Sequence, residues 1–422
     1  MGLVKPFWAI AFVVGCGSTT LDAVQKQGPS LIWPNAVSSA NSDPWIAQHH
    51  DDIVQMRPNV LVLDYFNTPA TGTKTPPAAL AATLIGAIAT TSAYHGYANP
   101  SAPAFLQYQV LKIVDLTDNP VPAGWANPSS TKLPVDATGT FDPTQLFSAA
   151  YADIIGIADP QNPSANLALC PLFERGIINE LWLSVGESGI RAPTLIMNLK
   201  QVYDGSNNAI VGDFDSCAGE GCLPTSIACS VSVRIAHLSP NHQATCDLEI
   251  RTLDIEDFRG DIPYLQANAS PFFNANFASA FGASFNSWYD ICDSNSDPCA
   301  TYPTPTSVSG TFTNGTAWEI SPFIQGCGDA RFPPNARYRW DYTNTTPVQS
   351  RCEHYGLHDA EGGTDTMDTY TDAKTAALDG VAGSDCGGGY QVYLRQNIPG
   401  LNNGGIGADG MAMRNWWPFL FY

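Results

Sequence analysis

This sequence is poor in charge, and above all in positive charge. Only 14% of the residues are charged, and 19 Lys+Arg stand against 39 Asp+Glu, a formal net charge of −20. A surface of that sign repels phosphate backbones and anionic headgroups, which excludes nucleic acid as a partner. Beyond the N-terminus no run approaches the roughly 20 apolar residues of a spanning helix. There is no P-loop and no Gly-x-Gly-x-x-Gly after a strand, so nucleotide binding is not expected. The His-Glu-x-x-His pattern is also missing. The nearest approach to a hydrolase elbow, Gly186-Glu187-Ser188-Gly189-Ile190, follows an expected strand but ends on Ile190 where the elbow needs glycine. Ser188 is therefore not expected to be a nucleophile.

What is present begins with an address. Met1-Gly2-Leu3-Val4-Lys5-Pro6 carries one positive charge, residues 7–14 are apolar, and Gly15 precedes Cys16. A basic start, a short apolar core and a small residue before the cut describe a secretory signal peptide. The stretch Val13-Val14-Gly15-Cys16 resembles the bacterial lipobox. That resemblance implies cleavage before Cys16, lipidation of Cys16, and a cell-envelope protein held to the membrane through its N-terminal lipid. Gly17, where an aspartate would retain the protein, implies sorting to the outer membrane.

The cysteine count agrees with this address. Of 11 cysteines, ten remain once Cys16 is set aside. They suffice for five disulfides in an oxidising compartment, although sequence does not determine their pairing. Cys292 with Cys299 and Cys352 with Cys386 are plausible partners. Cys217-x4-Cys222-x6-Cys229 lacks the repeated close-set pairs of a structural zinc site.

The expected organisation is a signal peptide over 1–15, a flexible tether over 16–48 and a single α/β domain over 49–422. The tether is poor in periodicity, with Ser, Asn and Pro scattered through it. The first clear signal in the domain is Asn59-Val60-Leu61-Val62-Leu63-Asp64-Tyr65-Phe66, whose run of aliphatics does not alternate, as in a strand covered on both faces. A helix is expected over 77–94 and a second strand over 105–115. A helix over 142–155 and a strand over 178–185 continue the pattern. The expected fold is therefore α/β, with a mostly parallel sheet built from βαβ units and disulfide-stapled loop insertions in the C-terminal half. The main insertion is expected at 251–326, followed by a helix over 365–378 and a strand over 390–395. Residues 178–187, Phe332-Pro333-Pro334-Asn335 and Trp416-Trp417 together resemble secreted bacterial proteins, which implies export and no particular activity.

Candidate chemistry follows from position. Ligands of open α/β sheets bind outside the carboxyl ends of the strands. Asp64 and Asp115 end the first two expected strands, and Glu187 follows the third, so three carboxylates at one edge can serve as acid and base or hold a divalent cation. The bland alternative is that they cap loops. His354 and His358 are four apart in Cys352-Glu353-His354-Tyr355-Gly356-Leu357-His358, near Glu361, Asp365 and Asp368, but Gly356 speaks against one continuous helix. The bland reading is that they are surface or structural histidines; the alternatives are a metal site and catalytic histidines, and it is as catalytic candidates that they join the carboxylates. Arg331, in a rigid Gly-Pro loop, can bind an anionic group or form a surface ion pair. Trp416 and Trp417 are candidates for sugar stacking or for core packing. Apart from a possible divalent cation, no cofactor and no metal site are expected.

Two functional readings remain open. One is an envelope hydrolase acting on a glycan, peptide or ester. The other is a non-catalytic surface lipoprotein that binds a glycan or protein, using some of its ten tryptophans and 16 tyrosines.

Overall fold

A computed structural model of the chain describes residues 30–68, 73–118, 132–186, 196–218, 221–274, 298–312, 315–323, 325–358 and 365–422. Its centre is a seven-stranded mixed sheet, mostly parallel. The strands are β1 (Asn59–Asp64), β2 (Gln109–Asp115), β3 (Glu180–Ser184), β4 (Met197–Tyr203), β5 (Ala209–Asp215), β6 (Gly221–Cys222) and β7 (Val233–Leu238). Their spatial order is β6-β4-β7-β3-β1-β2, with β5 paired to β4. β1 runs parallel to β2 and β3, and β3 parallel to β7, whereas β7 and β4 are antiparallel. The architecture is thus α/β. Among the described residues, no helix is long and apolar enough to cross a membrane.

The unalternating aliphatics of β1 have the expected cause, because both faces of the sheet are covered. Val60 and Val62 join Trp182, Ala236 and Leu238 in one core; Leu61 and Leu63 join Leu181, Leu183 and Ile235 in the other. The first core is closed by helices α1 (Pro77–Thr91), α2 (Ala244–Asp257) and α3 (Gly388–Asn397). α1 starts with proline in its first turn, where the missing N–H costs nothing, and buries Ala81, Leu84, Ala87, Ile88 and Thr91 at helical spacing. The second core is closed by the short helices Ala149–Ile155 and Leu169–Glu174.

Several local expectations are corrected. The folded part begins well before residue 49. Leu31–Trp33 pairs parallel with Ile53–Met56, Asp43–Gln48 is helical, and Trp33 is buried against Phe421. The tether therefore cannot extend to 48. The insertion cannot begin at 251, because α2 and the helix Pro263–Phe272 belong to the main core. Later in that region, Ala300–Thr304, Ser307–Thr311 and Ala317–Ile320 make a small antiparallel sheet with its own core. The expected helix over 142–155 is divided, since Ser148 ends the 3-10 turn Pro143–Phe147 and its Oγ caps the N–H of Tyr151. In place of a helix over 365–378 there is a strand, Asp368–Tyr370, paired with Val348–Ser350, and a short helix, Asp372–Ala376.

The expected strand over 390–395 is helix α3. Every residue of α3 is buried. A helix buried all round shows no one-sided apolar stripe, so its sequence pattern does not separate it from a strand.

Four disulfides join described cysteines: Cys170–Cys229, Cys217–Cys222, Cys246–Cys386 and Cys327–Cys352. Cys352 and Cys386 therefore do not pair with each other. Cys299 is also disulfide-bonded, to a partner outside the described residues. Cys16, and with it the signal segment, also lies outside them.

Candidate functional site

The parallel register aligns the carboxyl ends of the central strands in one row. Asp64 is paired with Asp115 on one side and Ser184 on the other, and Ser184 with Leu238 beyond it. Alternation along β1 and β3 turns Asp64 and Ser184 to the face of Val62 and Trp182, toward the layer of α1 and α2. Glu187, the third expected carboxylate, lies outside the described residues, as does Ser188.

Asp64 is buried and makes a salt bridge with Lys74 at 2.5 Å; its Oδ1 also accepts the N–H of Phe66. Asp115 is exposed. Its Oδ1 accepts the hydroxyl and N–H of Thr117, and these bonds, aided by the charges of Lys74 and Lys132, hold its carboxyl below the ordinary range. Lys74 thus acts electrostatically on both carboxylates. Asp115, ionised and capping its own loop, fits an electrostatic role and not a general acid.

Unsatisfied buried groups gather near this edge. Among the described residues, Ser184 Oγ and both amide atoms of Asn67 find no hydrogen-bond partner, in residues that are 0% exposed. Buried polar atoms are normally paired, so such a group marks a place where a water, ion or ligand belongs. One residue before Leu238, and on the opposite face of the sheet, His237 pairs with Leu183 and its Nε2 lies 3.0 Å from the Val185 carbonyl oxygen. Beyond the end of β7 a cavity of about 160 Å3 opens between α1 and the start of α2, lined by residues that include Thr83, Leu238, Ser239, His242 and Asp247. Asp247 accepts the N–H of Ser239, which fixes the turn from β7 into α2. Among the described residues, no base is hydrogen-bonded to Ser184 Oγ.

The other expected site residues do not join this edge. His354 ends the 3-10 turn Cys352–His354 and pairs with Asp368 at 2.8 Å; His358 faces Asp365 at 3.8 Å. Gly356 between them has φ of +74° and breaks any common helix, so the two histidines do not share a face. Arg331 pairs with Glu249 at 3.0 Å and lies near Trp340, the ion-pair alternative. Trp416 and Trp417 are 0% exposed. Arg395 lies over the Trp417 ring, and neither indole offers a stacking surface to a sugar.

Sequence reading missed Lys74, Ser184, Asn67, His237 and all of β7. The run Val231-Ser232-Val233-Arg234-Ile235 did carry a signal, an alternation with apolar residues on one face. Arg234 reads as a solvent position when the strand is taken alone. Comparison with known protein families, curated proteins and solved structures finds no match for this chain.

Proposed function

We propose that the protein is an exported, lipid-anchored hydrolase of the cell envelope, acting on a glycan, peptide or ester at the carboxyl edge of its sheet. The signal segment and the lipobox resemblance support the address, with the outer membrane as destination. The strand–helix–strand sequence of β1, α1 and β2 is read as a right-handed βαβ unit, the arrangement that places a site at this edge. In this reading Asp64 is the general base, Lys74 neutralises charge developing beside it, and Asp115 adds fixed negative potential.

The observation that carries the reading is the buried Ser184 and Asn67, with no hydrogen-bond partner among the described residues, near a carboxylate–lysine pair. The test is a screen of glycoside, peptide and ester substrates with the purified protein. Asp64→Asn, and the charge-balanced pair Asp64→Asn with Lys74→Met, should remove the detected activity while the protein stays folded. Full activity in the folded double variant would show the assignment to be wrong.

A second reading, a non-catalytic binding lipoprotein, is favoured by a different feature. The small antiparallel sheet carries an open groove of about 490 Å3 lined by Thr301, Ser309, Trp318 and Glu319 among others. An indole beside hydroxyls suits a sugar ring. Loss of glycan binding in Trp318→Ala, with no hydrolysis in the screen, would favour this reading.

A further inference from the structure

The start of α2 and the glycine-rich segment before α3 meet at four ligand-type side chains. Cys246 and Cys386 are disulfide-bonded, with Cα atoms 4.9 Å apart. His242, one turn before Cys246, places Nδ1 2.8 Å from Oδ2 of Asp385, the neighbour of Cys386. One ligand atom from each of the four lies within 4.8 Å of all the others. The His242 and Asp385 side chains are 38% and 43% exposed, so solvent reaches the group.

Three observations bear on how this disulfide is held. Cys386 has φ of +45°, a region that L side chains rarely adopt, so its bond is made by a strained residue. Gly383, Gly387 and Gly388 around it also have positive φ, which gives the turn freedom to re-set. The turn is also clasped to α2 independently of sulfur, because Gln243 Oε1 accepts the N–H groups of Ser384 and Asp385. Opening the bond would therefore leave the two segments together.

We propose that Cys246–Cys386 is a reducible bond whose opening creates a zinc site of two thiolates, one imidazole and one carboxylate. A dithiol reductant supplies the two electrons and two protons. One of its thiolates attacks a disulfide sulfur, and its second thiol resolves the mixed disulfide, leaving two cysteine thiols and an oxidised reductant. Zn2+ then displaces the two thiol protons to solvent, and His242 and Asp385 complete the tetrahedron. Zinc holds such ligands at about 2.0–2.3 Å, which sets them roughly 3.3–3.8 Å from one another. The four ligand atoms lie within 4.8 Å of one another, so the two sulfurs must separate and the widest pair must close by up to about 1 Å. The sulfur and imidazole donors select zinc over magnesium or calcium. None of the four residues is a reacting group of the proposed hydrolase, so the two ideas stand or fall separately.

The test reduces the full chain with dithiothreitol at graded potentials and maps opened cysteines by alkylation and peptide mass analysis. Cys246–Cys386 should open before the other disulfides, with the circular dichroism spectrum retained. The reduced protein should then bind one Zn2+ per chain, and zinc should shield Cys246 and Cys386 from alkylation. Cobalt substitution should give the thiolate charge-transfer bands of a tetrahedral site. His242→Ala should weaken zinc binding at least tenfold. The proposal is overturned if another disulfide opens first, if opening this bond unfolds the protein, or if the folded reduced protein binds no stoichiometric zinc. Shielding of other cysteines by zinc would overturn it equally.

Discussion

Arg234 Nη1 lies 3.1 Å from Glu180 Oε2, with both side chains buried between neighbouring parallel strands and α2. Arg234 Nη2 also pairs with Asp254 of α2, and Arg251 Nη1 stands 3.5 Å from Glu180 Oε1. Tyr108 and Trp182 donate to the same carboxylate. Burial works against the Glu180 charge, but the two guanidiniums and these hydrogen bonds outweigh it and hold the carboxyl below its ordinary range. The network joins β3, β7 and α2 beneath the proposed site.

Arg234→Met should therefore be strongly destabilising, because it removes the guanidinium shared by two buried carboxylates and leaves Asp254 without its cation and Glu180 with Arg251 alone. The expected loss is about 3–5 kcal/mol, read from urea unfolding. A loss below about 1 kcal/mol would mean that water or other cations already compensate these carboxylates.

Trp417→Ala should act on stability and not on binding. A fully buried indole truncated to methyl costs about 3–5 kcal/mol, and Arg395 loses the ring beneath it. Thermal unfolding should report the loss. Glycan affinity measured on the folded protein should be unchanged, and a selective loss of affinity would contradict the core assignment.

Stability should fall as pH rises from about 4 toward 7. Burial pushes the Asp329 carboxyl up to about 7, and burial with the neighbouring Asp329 charge pushes Glu256 well above its usual value. A raised folded-state pKa means that the native state holds protons the unfolded chain has released. The resulting stabilisation is full below the ordinary carboxylate range and is lost as pH passes through the folded value. Asp329→Asn keeps an acceptor for the N–H groups of Arg331 and Phe332. It should flatten the pH dependence between 5 and 8 and be relatively more stable at the upper end. A variant with an unchanged slope would remove Asp329 from this role.

Cys16→Ser should release the exported protein from the membrane fraction. Fractionation of cells expressing both forms is the readout, and full membrane retention of the variant would sink the lipid anchor.

Legibility differed by element. β1 and α1 could be read locally, because covered faces demand Val60-Leu61-Val62-Leu63 in succession and an amphipathic spacing through Leu84 and Ile88. Asp64 followed from the strand end it occupies. Lys74 did not, since a lysine in a loop says nothing about which carboxylate it will meet. Arg234 and Glu180 look like solvent positions until the neighbouring strand is known.

The sequence by itself determined the acidic surface, the alternatives excluded by missing motifs, and the elements whose burial is written in local periodicity. Tertiary structure alone decided that Cys386 pairs with Cys246 across 140 residues. It also decided that residues 388–397 form a helix, and that Asp64, Ser184 and Leu238 share one row. The physical reason is range. Periodicity records whether a residue is covered, while strand register and long-range packing decide what covers it.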